Sequence, residues 1–269
     1  MGDPEVTDLA GIQQWRGLAS VGWLVVLLAW ETAAPFFVFF RDPRERGLHA
    51  LRNFLLGLVN AIVVGSVFVL AWRAVTAWAG THHFGVLNWI SAPDGLRIVL
   101  AVLMLDAWTY GWHRICHRVP MLWSFHRVHH GDARMDVTTA NRFHLGEIVA
   151  SSVLRIALLP LLGVRFGELV LYETLLQAVV QWQHANIALP PALERMLRLV
   201  VVTPGLHKVH HSRERPETDS NYASLLSVWD RLFGSLRLRE RPEEIRLGLD
   251  GFDGAERQAL RGLFREPFR

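Results

Sequence analysis

The sequence predicts an all-α integral membrane bundle of about four spans, capped on one side by a histidine-rich cluster. Three observations predict it. Hydrophobic residues make up 51% of the 269 residues, and mean hydropathy is +0.21, high for a soluble chain. The charged residues, 20% of the total, are sparse in four long apolar stretches. Eight of the thirteen histidines fall into three short clusters that lie at or beyond the ends of those stretches.

The chain opens Met1-Gly2-Asp3-Pro4-Glu5. A secretory signal needs a positive start, so no cleaved signal is expected and the first apolar run is read as an anchor. That run, about Ser20 to Phe40, is long enough to span a bilayer and contains Glu31 and Pro35. Glu31 is expected either to serve function or to hydrogen-bond internally beside a Pro35 kink. The second run is about Phe54 to Trp78 and the third about Leu96 to Trp112. The fourth, Ile148 to Gln183, has 36 residues. As one helix it would be roughly 54 Å long, against a hydrocarbon core of about 30 Å. With Gly163 and Arg165 near its middle, it reads as a helical hairpin with its tip at Gly163. Its short legs leave open whether it crosses fully. Pro190 to Val202 is amphipathic and suits a membrane surface. Asp253 to Phe264 reads as a short structural helix capped by Asp253. The whole of 1–269 is expected to be one domain: spans over 1–112, the first histidine clusters over 113–147, the hairpin over 148–183, the last cluster and a C-terminal signature over 184–240, and a tail over 241–269.

Net charge is +3 and the sequence pI about 9.6. The arginines sit mostly at the ends of apolar runs, which points to lipid head groups and topology rather than to nucleic acid. One cysteine, Cys116, excludes an internal disulfide and fits a reducing compartment; it is read as a spectator. The linker after the first run carries Arg41, Arg44, Arg46 and Arg52, whereas residues 80–93 hold no Arg or Lys. The positive-inside rule places the arginine-rich linker in the cytosol. The third span then delivers His113 to that same side, and the hairpin leaves and returns there. The expected location is the inner membrane of a bacterium, with the histidines facing the cytoplasm.

The clusters are His113-Arg-Ile-Cys-His117, His126-Arg-Val-His129-His130 and His207-Lys-Val-His210-His211. On a helix, positions i, i+3 and i+4 share one face, so each cluster aims two or three imidazoles at one region. Neutral imidazole suits iron, zinc, copper and nickel. Eight such ligands exceed what one open metal position needs and suit two metals. Without metal, the same arrangement would bury mutually repelling, easily protonated groups. His49, His82 and His83 stand alone and read as ordinary core or solvated residues.

At these residues the sequence resembles the fatty acid hydroxylase superfamily, which includes sterol desaturases and alkylglycerol monooxygenase. The resemblance runs from about Glu31 to Ser235. It rests on the three cluster spacings, on Asp106, on Leu122-Trp123 before His126, on Asp136 to Arg142, on Asn221-Tyr222 and on Trp229-Asp230-Arg231-Leu232-Phe233-Gly234. It implies a four-span membrane fold with a cytosolic non-haem di-iron site. It further implies His184 as a ligand at the end of the hairpin. Some members carry a second histidine four positions earlier, where this chain has Val180. His144, in Arg142-Phe143-His144-Leu145-Gly146-Glu147, resembles the family's R-x-H-P-x-E with Leu145 in the proline position, and is expected either as a ligand or as a donor behind one. The implied ligand set is therefore His113, His117, His126, His129, His130, His144, His184, His207, His210 and His211.

Asp106, seven residues before His113, is expected to hydrogen-bond a ligand imidazole and fix its tautomer. Glu147, Asp136 and Asp230 are candidates for the same role, with caps and surface ion pairs as the alternative. The implied chemistry is O2-dependent hydroxylation, or desaturation, of a lipid-like substrate: fatty acyl, sterol, ether lipid or carotenoid. The implied cofactors are two iron ions, replaceable by zinc on purification, with O2 and an external electron donor. No Rossmann, haem or Fe–S motif is present, so a ferredoxin, cytochrome or reductase is expected as redox partner, or a reduced pterin as donor. A membrane zinc hydrolase would carry H-E-x-x-H, but Arg114 stands in the Glu position. A metal transporter would place ligands mid-membrane, and these lie at span edges.

Overall fold

Prolines and side-chain caps set where several of the helices begin and end. The computed structural model describes residues 4–269, with side chains from Gly17 onward; the acidic start at Met1 to Asp3 lies outside the described residues. Helix α1 covers Pro4–Ala33. It stops short of Pro35, which lacks an N–H and disfavours helix in the residue before it. The first apolar run is therefore helical only to Ala33, not to Phe40, and Phe36 N–H instead donates to the Asn186 carbonyl at 2.8 Å. Helix α2, Pro43–Val63, starts with Pro43 in its first turn and with the Asp42 side chain accepting from Arg44 N–H. A π-turn at Val64–Phe68 joins it to α3, Val69–Thr81.

A short α4, Val86–Trp89, precedes α5, Asp94–Arg118, and α6, Pro120–His130. A 3-10 turn at Val137–Asn141 leads into the hairpin of α7, Leu145–Leu162, and α8, Phe166–His184. The cap then uses short helices: α9 (Pro191–Leu197), α10 (Pro204–His210), α11 (Arg215–Thr218) and α12 (Val228–Leu232). The tail adds α13 (Ala255–Gln258) and α14 (Leu260–Arg265). Among the described residues there is no strand, only isolated bridges at Val201–Leu226 and Ser212–Leu247.

The hairpin tip falls at Gly163, whose φ of +71° ends α7. Gly85 backs onto it, and a Cβ there would sit 2.2 Å from the Pro160 carbonyl oxygen. Arg97 closes the tip, donating to the Gly163 carbonyl at 2.6 Å and to Glu168 at 2.8 Å. Phe68, Trp72, Leu105, Leu159, Leu169 and Tyr172 fill the space between α3, α5, α7 and α8.

Two helical stretches among the described residues are long and apolar enough to cross a bilayer: 43–89, which holds α2 and α3, and α7. The apolar part of α1, Gly17–Ala33, is shorter. The outward faces of α1, α2, α3, α5, α7 and α8 all carry exposed aliphatics, among them Val25, Leu58, Leu70, Val99, Leu154 and Leu175. A water-soluble surface does not sustain so wide an apolar belt, whereas a lipid-facing one requires it.

Glu31 is buried and accepts from Arg46 at 2.7 Å, Val137 N–H at 3.0 Å and Asn186 N–H at 2.9 Å. It thus ties the end of α1 to the cap through interior hydrogen bonds. The tail departs from expectation in detail. The 253–264 segment is two helices broken at Ala259, its N-cap residue is Gly254, and Asp253 instead pairs with Arg213 at 3.0 Å. Its role is structural: Leu263 packs on Leu56 and Val128.

Candidate metal centre

Four helices bring the histidines together. α5 supplies His113 and His117 from its last turns, α6 supplies His126, His129 and His130, α8 ends on His184, and α10 supplies His207 and His210 with His211 as its cap. Nine imidazoles gather into two buried groups. One holds His113, His117, His126, His130 and His210; the other holds His129, His184, His207 and His211; within each, the ligand atoms lie within 4.8 Å of one another. The two H-x2-HH triplets do not map onto one group each. On α6 the i and i+4 residues join the first group and the i+3 residue the second; on α10 the sharing is reversed. The groups adjoin, with the His130 and His211 rings stacked at 4.4 Å.

The hydrogen bonding fixes how several of these rings are turned. His113 Nδ1 is 2.7 Å from the Tyr222 carbonyl, and His210 Nδ1 is 2.6 Å from the Ser220 carbonyl. A carbonyl only accepts, so both Nδ1 atoms carry the proton and both Nε2 atoms present lone pairs. Yet those Nε2 atoms stand 3.0 Å apart, and His113 Nε2 is 3.0 Å from His126 Nε2, whose own Nδ1 donates to Glu147 at 3.0 Å. In the second group His184 Nδ1 donates to the Val180 carbonyl at 2.7 Å, leaving its Nε2 2.9 Å from His207 and 3.0 Å from His129. In the first group the lone pairs of His113 and His210 thus face each other, an arrangement that a bound cation would relieve. Buried nitrogens without any partner complete the pattern: His117 Nε2, and both ring nitrogens of His211.

Burial, followed by the neighbouring imidazoles, pushes His129, His130, His207, His210 and His211 well below the usual histidine range. They are neutral at physiological pH, the state that binds metal. Neither group contains a carboxylate or a thiolate, so the residues fit a pair of metals held by nitrogen, iron or zinc.

His144 is a correction. It belongs to neither group: its Nδ1 accepts from Gly146 N–H at 2.9 Å, capping α7, and its Nε2 lies 3.2 Å from the Phe264 carbonyl. Asp106 is a second one. It accepts from Trp229 Nε1 at 2.7 Å, Leu226 N–H at 3.0 Å and Tyr172 at 3.3 Å, and binds no ligand imidazole. Its place on the His113 face is real, but the C-terminal signature closes over it first. Glu147 bonds His126 directly. Asp230 works one step back, accepting from Tyr222 N–H and Ala223 N–H at 2.8 and 3.1 Å, and so fixes the loop whose carbonyl orients His113. Asp136 caps the 3-10 turn through Thr138 N–H at 2.9 Å. Cys116 is buried and in neither group.

Asp219 was not foreseen. It lies 3.2 Å from His117 Nδ1; its position just before Ser220-Asn221-Tyr222 was the available signal. The loop there turns at Asn221, whose φ of +51° is left-handed, a conformation asparagine tolerates better than most. That turn aims the Ser220 and Tyr222 carbonyls at different imidazoles. Lys208, the one lysine, is also structural: it donates to the Ala185 and Ile187 carbonyls at 3.1 and 3.0 Å, pinning α10 to the segment after His184. Burial, opposed by Glu194 and Glu31, lowers it to about 7. His49 contacts Asp132 at 2.9 Å in the core, and His82 and His83 are exposed beyond α3.

A cavity of about 300 Å³ reaches the centre, touching His113, His126, His129, His184 and His207 and running between α7 and α8 past Trp72 and Leu176. A chain-like molecule in it would meet both groups at one end.

No solved structure matches this chain. It is 25% identical to an ornithine lipid hydroxylase of Rhizobium tropici over 242 residues, 88% of this chain and 71% of that protein. It is 29% identical to a cholesterol 25-hydroxylase-like protein of Danio rerio over 188 residues, 67% of this chain and 70% of the relative. Against alkylglycerol monooxygenase of Danio rerio it is 33% identical over 156 residues, 57% of this chain but 32% of that protein. A sequence model of fatty acid hydroxylase matches residues 98–235, a stretch that opens in α5, contains all nine gathered histidines and closes at Ser235, whose carbonyl accepts from Asn221 N–H in the loop that orients two of them; the chain belongs to the fatty acid hydroxylase family.

Proposed function

We propose that the protein is an O2-dependent di-iron monooxygenase that hydroxylates a C–H bond of a membrane lipid. The observation that carries this reading is the pair of all-imidazole groups, lone pairs inward, at the closed end of a cavity that opens among apolar helices. The relatives named above are an ornithine lipid hydroxylase, an alkylglycerol monooxygenase and a cholesterol 25-hydroxylase-like protein, which supports a lipid substrate. Iron held by the nine histidines would supply the redox chemistry by which O2, two electrons and two protons convert R–H to R–OH and water. The chain's own residues bind and orient. Phe143, stacked on His129 at 4.2 Å, and Trp72 form apolar wall. Glu147 and Asp219 keep the protons of His126 and His117 on Nδ1, so that each Nε2 stays free for metal. The electrons come from a separate redox partner. Lipid extracts of cells with and without the gene, compared by mass spectrometry, should differ by a species 16 mass units heavier, made only in air. Identical lipid profiles in cells that contain the metal-loaded protein would refute the reading.

We further infer that the whole chain is one domain, a bundle of about four spans with its histidine cap in the cytosol of a bacterial cell. The arginines of residues 41–52 favour this orientation. Cysteines placed at exposed Glu214 and Thr81 test it with an impermeant thiol reagent; buried Cys116 is replaced by alanine. Intact cells should label the Thr81 site alone, and labelling at Glu214 alone would invert the topology.

A further inference from the structure

Two charged residues lie halfway along the hairpin, where neither the metal centre nor the helix caps use them. Arg155 on α7 and Glu173 on α8 form an ion pair at 2.6 Å. Arg155 lies about 12 Å along α7 from Glu147, and Glu173 roughly 16 Å along α8 from His184, at about 1.5 Å per residue. Charges at that depth between apolar helices are costly and need a reason. Their surroundings supply one. Both residues line the 300 Å³ cavity that ends at the histidines. Glu173 and Gln177 also line a second, outer groove of about 500 Å³ between α1 and α8, bordered by Ser20 and Trp23. The pair therefore stands at the wall shared by an outer, lipid-facing groove and the inner cavity.

Its hydrogen bonding is incomplete. Arg155 Nη1 is satisfied by Glu173 Oε1, and the guanidinium lies 5.5 Å from the centre of the Trp72 ring. Among the described residues, no protein group accepts from Arg155 Nε or Nη2, and none donates to Glu173 Oε2. The side chains keep 15% and 34% of their exposure, so these atoms face open space. The site offers donors and an acceptor side by side with no net charge. Its complement is a neutral group that both accepts and donates. A carboxylate would meet Glu173, an ammonium would meet Arg155, and a bare hydrocarbon would leave both unsatisfied.

We propose that the Arg155–Glu173 pair binds a hydroxyl or amide of the substrate lipid, and so admits neutral polar lipids in preference to free fatty acids and plain hydrocarbons. This rests on the proposed reading of the cavity as the substrate site. With its polar group held there, the lipid extends toward the histidines and presents a carbon well down its chain from that group.

The test is equilibrium binding, which needs no turnover. Radiolabelled hexadecylglycerol, hexadecanamide, palmitate and hexadecane are each titrated into the purified, metal-loaded protein in detergent. At least one of the first two should bind tenfold or more tighter than palmitate and hexadecane, and the tighter of them identifies a hydroxyl or an amide as the natural group. Arg155→Met should weaken that ligand at least tenfold. Glu173→Gln leaves the guanidinium unopposed and should raise affinity for palmitate at least tenfold, a gain that a misfolded variant cannot produce. Equal binding of all four ligands by the native protein, or an unchanged affinity for palmitate in Glu173→Gln, would overturn the proposal. If the ranking holds but no oxidised lipid is ever formed, the monooxygenase reading fails and the lipid specificity stands.

Discussion

Protein purified without oxygen or chelators is expected to carry two metal ions per chain, iron in its native host, and alanine at any of nine histidines should abolish product formation. The nine are His113, His117, His126, His130 and His210 in one group and His129, His184, His207 and His211 in the other. Each is buried, so no neighbour can replace a lost bond without moving a helix. The effect on metal content should differ by group. Removing His113 should empty the first position before the second, and removing His184 the reverse. His144→Ala should keep both metals, because that side chain caps α7 and reaches the Phe264 carbonyl. His82→Ala and His83→Ala should behave as native, being exposed at the far end of α3. One ion or none per native chain would sink the two-metal reading, and a loss at His82 equal to that at His129 would move the site elsewhere.

The second large effect is expected at Glu147. It is buried, lines the cavity, and accepts a hydrogen bond from His126 Nδ1. Without it, that imidazole can rotate or switch tautomer, and its Nε2 no longer presents a fixed lone pair. Glu147→Ala should lower metal affinity and turnover by about 10–100-fold, the usual cost of losing such a partner. Glu147→Gln keeps an accepting oxygen and should recover part of both. Asp219→Asn should cost less, since Asp219 is 34% exposed and shares its other oxygen with Arg215 at 2.6 Å. Chelator competition gives the affinities and product assays the turnover. A Glu147→Ala protein that holds metal as tightly as the native one would show that the carboxylate does not orient His126.

The outline of this molecule was legible because its signals are local. Gly163 inside a run too long for one span announces a turn, and three histidine spacings of three and four announce shared helical faces. The division of the histidines between two groups was not legible. His129 and His130 are neighbours in sequence, and only the relative rotation of α6, α8 and α10 sends one to each group. Asp106 shows the limit of face arguments. It shares a helical face with His113, but Trp229 and Leu226, over a hundred residues later, occupy its oxygens. His144 shows the limit of motif arguments: its spacing to Glu147 fits the family pattern, yet a helix start claims its ring. The first apolar run was overextended because composition continues through Pro35 while the backbone cannot.

Three of the nine imidazoles, His113, His184 and His210, are oriented by main-chain carbonyls, those of Tyr222, Val180 and Ser220. A carbonyl is present whatever side chain a residue bears. Substitution at 180, 220 or 222 can alter bulk or polarity without deleting the acceptor, provided the chain still turns at Asn221. The orientation of these rings is thus stored partly in the path of the backbone, which substitutions at those three positions need not disturb. A lineage can rewrite most of its letters, its lipid-facing surface included, and still inherit the same ring orientations. Relatives that agree at only a quarter to a third of aligned positions are what such storage permits.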